Sequence, residues 1–376
     1  MNIAAAVNEN FANYSNYLIR SAMFVYALAF LAHLAEWVFG SRSKVAVQSA
    51  ALAAQDREAQ AREQDGGKAG TVAVKVVQRG GATTTLERPR PRIVPKVVTR
   101  ASASDRGIAD GPGAAGEDEK GDLYGRVAIA FTVLAWLLHF GGVLFRAISV
   151  QRPPWGNMYE FSTTFGMVAV GAYLVLLLMK KNVRWIGLFL TTTVLLDLGL
   201  ALSVLYTSSD QLVPALHSYW LWIHVSCAII SGAIFYLAAV GTLLYLFRDR
   251  YETALAADRE QNRRWADIMS RLPAAASLDK FAYRMNALVF PLWTFTIIAG
   301  AIWAQAAWGR YWGWDPKETW AFITWVAYAC YLHARATAGW KGRKAAYLAL
   351  IAFACFLFNY YGVNIFVTGK HSYAGV

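Results

Sequence analysis

Charge is scarce in this chain of 376 residues: 16% of them are Asp, Glu, Lys or Arg, whereas 57% are hydrophobic. So low a charge content with so many apolar residues excludes a disordered protein and argues against a water-soluble globular domain. At about 20 residues per membrane-spanning helix, the apolar content is enough for several such helices.

Cysteine is also rare. The chain has only Cys227, Cys330 and Cys355, each within an apolar run, and no Cys-x-x-Cys pair. This pattern excludes a disulfide framework and a dithiol redox centre. Any thiol chemistry in which the protein takes part must therefore be supplied by a partner.

Acidic residues are fewer than basic ones, 24 against 36, which gives a net charge of +12. In a soluble chain this excess would suggest nucleic acid as a partner. In a hydrophobic chain it is typical of basic cytoplasmic loops between membrane helices. We therefore expect no nucleic-acid partner.

Apolar runs long enough to cross a bilayer occur eight times. They are continuous, unlike the alternating ten-residue strands of a membrane barrel. The sequence predicts an all-α fold, a polytopic membrane bundle of about eight transmembrane helices, the seventh of which is short and extends toward Arg335. The eight runs are Leu18–Phe39, Val127–Ile148, Tyr159–Met179, Val183–Tyr206, Tyr219–Phe247, Met285–Trp303, Trp320–His333 and Ala345–Phe366.

Basic residues collect after the third, fifth and seventh runs, and such clusters are typical of cytoplasmic loops. The other connecting segments then face outward, and both termini are predicted to be extracytoplasmic. The first run lacks a preceding basic stretch and a small-residue cleavage site after it, so we do not expect a signal peptide. The basic clusters are Lys180, Lys181 and Arg184, then Arg248 to Arg284, then Lys341, Arg343 and Lys344.

Composition divides the chain into three parts. Residues 1–40 contain the first predicted helix. Residues 41–122 are rich in Ala, Gly, Arg and Asp without periodicity, which predicts a disordered cytoplasmic insertion. Residues 123–376 form the main membrane domain.

Six histidines are distributed over the predicted topology. Ionisable groups are costly in hydrocarbon, so a histidine within a membrane helix indicates function more often than chance placement. Three lie at or near the predicted outer surface, namely His217, His224 and His371. Three fall within runs or near their inner ends, namely His33, His139 and His333.

The segment between the sixth and seventh runs, residues 304–319, is unusually rich in tryptophan. Six of the 15 tryptophans lie between Trp303 and Trp325. An aromatic belt would spread tryptophan over all helix ends, so this concentration favours a flat apolar platform. Trp308 and Trp312 would share a face if the loop were helical, and Gly309 and Gly313 lack side chains that would obstruct a planar ligand.

A porphyrin suits such a platform. Its faces are apolar, and its iron accepts neutral imidazole. Its propionates require cations, for which Arg310 and Lys317 are available in the same segment.

The stretch from Trp308 to Trp320 reads Trp-Gly-x-x-Trp-x-Trp-Asp-Pro-Lys-Glu-Thr-Trp. It resembles the tryptophan-rich WWD signature of the CcsA/ResC-type cytochrome c biogenesis proteins of system II. The resemblance covers nearly all of the chain from Tyr124 onward. It extends to Asn157-Met158-Tyr159-Glu160, Leu212-Val213-Pro214-Ala215-Leu216, Trp220-Leu221-Trp222-Ile223-His224-Val225, Tyr331-Leu332-His333-Ala334-Arg335, Gly362-Val363-Asn364 and Lys370-His371-Ser372-Tyr373.

The resemblance implies a heme site. His224 and His371 match the outer histidines that ligate one heme iron, with heme b as the cargo. His333 matches the membrane histidine that binds heme in transit, together with a histidine of the partner CcsB/ResB. The remaining cofactor-binding residues implied by the signature are Trp308, Gly309, Trp312, Trp314 and Asp315.

The other histidines and Asp315 have more than one possible role. His217 is outside the matched ligand set, but it precedes His224 by seven residues and would share its helical face, so it remains a rival. His33 and His139 match no motif and are interpreted as packed or hydrogen-bonded core residues. Asp315 is interpreted as ordering the loop or orienting a side chain rather than as a general acid.

The resemblance also implies a function. It is heme transport and presentation across the cell membrane, as the CcsA-like half of a cytochrome c synthase, with the tryptophan-rich loop on the extracytoplasmic side. Its partners would be the CcsB/ResB-like protein, apocytochrome c with a reduced Cys-x-x-Cys-His motif, and thiol-reducing proteins. Heme and substrate supply the thioether chemistry, while this chain supplies position and iron ligands.

A function of another class is also open. The chain could be a secondary transporter or a quinone-linked membrane subunit in which Asp197, Glu160 and His333 relay protons. That interpretation leaves the tryptophan-rich loop unexplained. Bound heme, seen as a Soret band in purified protein, discriminates between the two.

Overall fold

The structure is a computed structural model that describes residues 7–40, 119–212 and 218–371. Most of the predicted insertion, His217 and the motif at 213–216 lie outside the described residues. Within the described ranges every regular element is helical, as predicted, and no strand occurs.

Ten α-helices are formed by the described residues. Two of them are preceded by a five-residue π-helical turn, at Leu221–Val225 and Phe358–Gly362, and α4 is preceded by a 3-10 turn at Arg184–Ile186. The α-helices are α1 (Glu9–Gly40), α2 (Glu119–Val150), α3 (Met158–Leu178), α4 (Gly187–Ser203), α5 (Ser226–Ala256), α6 (Arg263–Arg271), α7 (Ala275–Trp308), α8 (Pro316–Ala336), α9 (Arg343–Leu357) and α10 (Val363–Phe366).

Seven segments of the described chain are long and apolar enough to cross a membrane, and they correspond to seven of the eight predicted runs. The remaining run, the seventh, lies in α8, which begins at Pro316 and ends at Ala336, so it reaches Arg335 as predicted. Its 21 residues span about 31 Å, the thickness of a bilayer core. The helix is less apolar because Lys317, Glu318 and Arg335 lie near its ends.

Helix α2 begins at Glu119, within the range assigned by composition to the insertion. Its first turn is anchored by an ion pair, since Asp122 lies 2.9 Å from the Arg184 guanidinium. Arg184 also lies 2.7 Å from the carboxylate of Glu36, which is fully buried near the end of α1. This group joins α1, α2 and the start of α4 at one end of the bundle.

At the opposite end, another ion group fixes the loop before α3. Glu160 is fully buried and lies 2.9 Å from the Arg146 guanidinium and 2.7 Å from that of Arg152. Its carboxylate also accepts a hydrogen bond from the Gly156 N–H. Because a buried carboxylate is stable only when it is paired, the group holds residues 152–156 in one conformation.

The interpretation of His33 and His139 as core residues agrees with the structure. His33 and His139 are fully buried, with His33 Nδ1 3.2 Å from Glu36 and His139 Nδ1 3.4 Å from the Tyr26 hydroxyl. Asp197 is buried within the bundle and accepts hydrogen bonds from Ser162 and Tyr361. These polar groups therefore pack within the fold.

Candidate functional site

A large cavity opens between α5, α7, α8, the two π-helical turns and the loop before α3. It contains about 1380 Å³ of space not filled by protein atoms, including its open mouth. Small-molecule and cofactor sites are typically concave and mostly apolar. Its aromatic lining consists of Trp155, Phe161, Trp293, Trp303, Trp308, Tyr311, Trp312, Phe356 and Tyr360.

The tryptophan-rich loop is shorter than the sequence predicted. Helix α7 continues to Trp308 and ends at Gly309, which adopts the left-handed conformation (φ +72°) that favours glycine. Residues 309–315 are therefore not helical, and Trp308 and Trp312 do not share a helical face. They nevertheless line the same cavity.

Two residues of the predicted platform lie outside the cavity lining. Trp314 is 67% exposed, has φ +56° and contacts the ring of Trp312 edge-on at 5.8 Å. An alanine Cβ at Gly309 would meet no atom within 4 Å, so this glycine serves the turn rather than the approach of a ligand. Trp308 and Trp312 remain as the platform residues that face the cavity.

Asp315 and Glu318 order the start of α8. They form a capping box, in which Asp315 accepts a hydrogen bond from the Lys317 N–H and Glu318 accepts one from the Asp315 N–H. Glu318 also accepts a hydrogen bond from the Gly313 N–H at 2.9 Å. Capping satisfies backbone donors that a helix start would leave unpaired, so these two carboxylates define the loop.

His371 lies at the cavity and is bound by Asp315. Its Nδ1 is 2.7 Å from Asp315 Oδ2, and its ring meets Trp308 edge-on at 4.9 Å. Burial raises the pKa of Asp315, but hydrogen bonds from His371 and from the Lys370 and Lys317 N–H groups outweigh it and lower the pKa to about 2. The carboxylate accepts a hydrogen bond from the Nδ1–H of His371, which leaves Nε2 of His371 to bind a metal.

His224 lies across the fold on the π-helical turn Leu221–Val225 and also lines the cavity. Its Nδ1 is 2.9 Å from the Thr296 carbonyl oxygen. A carbonyl only accepts, so Nδ1 donates and Nε2 is again available as a ligand. Gly300 makes room for the ring, since an alanine Cβ there would be 2.7 Å from His224 Cε1.

The cavity also has a cation. Lys317 lines it, donates to the Asn359 carbonyl oxygen at 2.8 Å and lies 5.7 Å from the Tyr360 ring centre. Arg310, the other cation proposed for propionates, packs its guanidinium on Gly313 and does not line the cavity. A carboxylate of a bound ligand would therefore meet Lys317.

These features fit heme. Two imidazoles with Nε2 available suit an iron that a porphyrin already holds in four positions. The aromatic walls suit the macrocycle. In the described part of the chain, no group of three or more His, Cys, Asp or Glu residues is arranged to bind a metal ion by itself.

His333 is separate from this cavity. It lies in the last turn of α8, where its side chain is exposed on the surface of the bundle.

Sequence reasoning missed the residues that support the ligands. The backbone carbonyl of Thr296, which is 72 residues after His224 in the chain, orients the His224 ring. No pattern of side chains in the sequence indicates such a contact. Trp155 lines the cavity and was overlooked, although it directly precedes the matched motif that begins at Asn157.

Comparison with known proteins gives a consistent result. The model of the Cytochrome C assembly protein family matches residues 155–371, more than half of the chain and the part that contains the cavity. The chain is 36% identical over 289 residues to Cytochrome c biogenesis protein CcsA of Gloeothece citriformis, covering 66% of this chain and 85% of that relative. It is 37% identical over 246 residues to the CcsA of Trieres chinensis, covering 58% and 77%. The chain therefore belongs to the cytochrome c assembly protein family, as a CcsA-type member.

Proposed function

We propose that this protein acts in cytochrome c maturation by receiving heme, holding it in the aromatic cavity with iron between His224 and His371, and presenting it to apocytochrome c. The membership in the cytochrome c assembly family supports maturation and heme handling. The observation that carries the proposal is the placement of both matched histidines on one aromatic cavity, each with Nδ1 engaged.

The residues of the cavity have distinct tasks in this mechanism. Trp308 and Trp312 provide apolar surface for the porphyrin, and Lys317 pairs with a propionate. The carboxylates of Asp315 and Glu318 keep the loop in place. Heme is the cargo, and the chain contributes its orientation and its iron ligands.

Thioether formation requires the two cysteine thiols of the substrate to lie beside the heme vinyl groups. Replacement of one iron ligand by the histidine of a Cys-x-x-Cys-His motif would place them there. The three cysteines of this chain are free, and none lines the cavity. The thiols and their reduction are therefore assigned to apocytochrome c and to thiol-reducing partners.

His333 is assigned to an earlier step, in which heme enters from within the membrane. Its exposure on the surface of the bundle supports a shared site with a histidine of a CcsB/ResB-like partner. The cavity and the loop would then face the extracytoplasmic side of the cell membrane, since the basic clusters lie at the other ends of the helices. Residues 41–118, which precede α2, are proposed to be a cytoplasmic insertion without a role in the chemistry.

A proton-relay transporter is not favoured. Glu160 is paired with two arginines, and Asp197 accepts hydrogen bonds from Ser162 and Tyr361. His333 is exposed on another helix. Glu160 and Asp197 are thus held by their own partners, and the chain belongs to a family of cytochrome c assembly proteins.

Absorption spectroscopy tests the proposal. Protein purified from heme-replete cells should show a Soret band and the sharp visible bands of low-spin iron with two histidine ligands. His224→Ala and His371→Ala should change these bands, whereas His139→Ala, a buried histidine outside the cavity, should not. Colourless wild-type protein would contradict the proposed function.

A further inference from the structure

The two histidines of the cavity have unequal hydrogen-bond partners. His371 Nδ1 donates to the carboxylate of Asp315 at 2.7 Å, whereas His224 Nδ1 donates to a neutral backbone carbonyl at 2.9 Å. A hydrogen bond to a charged acceptor is about twice as strong as one to a neutral acceptor. A carboxylate behind a ligating histidine also fixes its ring and raises its basicity.

Asp315 holds the whole segment around His371. Its Oδ1 accepts from the Lys370 N–H at 2.6 Å, while Oδ2 accepts from His371. Gly369 permits this close approach, because an alanine Cβ there would be 2.8 Å from Asp315 Oδ1. The carboxylate thus binds two consecutive residues of the segment and caps α8 at the same time.

His224 is held differently. It lies on a π-helical turn, a local departure from α-helical geometry that is frequent at functional sites. Its ring contacts Trp303 edge-on at 5.8 Å and is positioned by one carbonyl. Within the described residues, no acidic side chain is hydrogen-bonded or ion-paired to it.

We infer that Asp315 is a positioning residue that makes His371 the retained iron ligand, and that His224 is the ligand which the histidine of apocytochrome c replaces. In this exchange the bond from iron to His224 Nε2 breaks, a bond from iron to the substrate histidine forms, and the oxidation state of iron is unchanged. The inference rests on the proposed function, because it concerns heme in the same cavity.

The first test measures how electron-rich each ligand is. In His224→Ala protein, reduced heme is held by His371 alone, and in His371→Ala protein it is held by His224 alone. Resonance Raman spectroscopy should show a higher iron–histidine stretching frequency in the His224→Ala protein. Adding Asp315→Asn should lower that frequency, and equal frequencies in the two single variants would overturn the inference.

The second test measures the reduction potential of heme in protein that keeps both histidine ligands. It therefore does not depend on whether a variant with a single ligand retains heme. In the otherwise unchanged protein, Asp315→Asn should raise the reduction potential of the iron, because the carboxylate stabilises the oxidised form. Asparagine caps helices about as well as aspartate, so α8 should remain intact. Glu318→Gln is the matched comparison: it removes a carboxylate that lines the cavity and forms the other half of the capping box but has no hydrogen bond with His371. Its shift in potential should therefore be smaller than that of Asp315→Asn, and a shift as large would contradict a role for Asp315 through His371.

The third test identifies the exchanged ligand. A synthetic Ala-x-x-Ala-His peptide supplies the histidine without thiols, so no thioether can form. If His371 is retained, Asp315→Asn shifts the reduction potential of the peptide-bound heme as it does that of the free protein. If the shift disappears when the peptide binds, His371 is the ligand replaced and the inference is wrong. Absence of heme from the unaltered protein would instead contradict the proposed function.

Discussion

Single side chains decide what the cavity can bind. The histidines differ in surroundings that the sequence does not distinguish: His224 and His371 line the cavity, His333 is exposed, and His33 and His139 are buried. Replacing a histidine by alanine should therefore have a different effect at each of these three locations. The histidines are therefore the residues whose variants separate the steps of heme handling.

His224→Ala and His371→Ala should each convert the low-spin iron to high-spin or cause loss of heme, because one axial ligand is removed. Cytochrome c yield should fall while the protein level is maintained. Added imidazole is small enough to occupy the vacated position, so it should partly restore the low-spin spectrum and the cytochrome c yield of both variants. Heme content, visible spectra and cytochrome c yield measure this outcome.

His333→Ala should reduce total heme, because delivery precedes presentation at the loop. His217→Ala should be close to neutral and serves as the matched control. If His217→Ala abolished assembly while His224→Ala left the low-spin spectrum and yield unchanged, the ligand assignment would be wrong even though the family is established.

At the scale of elements, glycines set how closely the helices pack. Gly187 begins α4, where an alanine Cβ would be 2.3 Å from the buried His33 ring and 2.8 Å from the Tyr173 hydroxyl. Gly199 lies on the same helix, and an added Cβ there would meet no atom within 4 Å. The two positions form a matched pair in one helix.

Gly187→Ala should destabilise the protein by about 1 to 3 kcal/mol, the usual cost of overpacking. Gly199→Ala should be neutral or stabilise it by up to about 1 kcal/mol, because alanine is the better helix former. Thermal unfolding of detergent-solubilised protein measures both effects. Equal shifts in Tm would show that the contact with His33 does not limit packing.

At the scale of the whole molecule, the topology assigns each loop to one side of the membrane. With eight spans, Lys180, Arg263 and Lys344 should be inside, and Thr207, Gly313 and His371 outside. Single cysteines at these positions, introduced after removal of the three native ones, should react with an impermeant reagent accordingly. Labelling of position 344 from outside in intact cells would exclude the topology.

The segment between α1 and α2, residues 41–118, should be dispensable for cytochrome c assembly. A protein in which a short flexible linker replaces this segment should still assemble cytochrome c, because the composition of the segment cannot bury a core and the segment includes none of the matched motifs. The deletion leaves Asp122, which pairs with Arg184, in place. Loss of assembly at a normal protein level would reveal a task for the insertion.

The sequence by itself determined the membrane class, the helical fold and the family. Long apolar runs require helices because backbone groups cannot remain unpaired in lipid, and the segment from Trp308 to Trp320 is specific enough to indicate heme. It also singled out His224 and His371, although the spacing of His217 left a rival. These features are local, so a linear reading is sufficient to find them.

Only the tertiary structure decided which groups face one another. Neither pattern nor propensity indicates that Asp315 binds His371, that Thr296 orients His224, or that Trp314 is exposed and outside the cavity lining. The end of α7 at Gly309 also replaced the predicted shared helical face of Trp308 and Trp312 with a folded loop. Such contacts join residues far apart in the chain, and they depend on the packing of whole helices rather than on neighbouring residues.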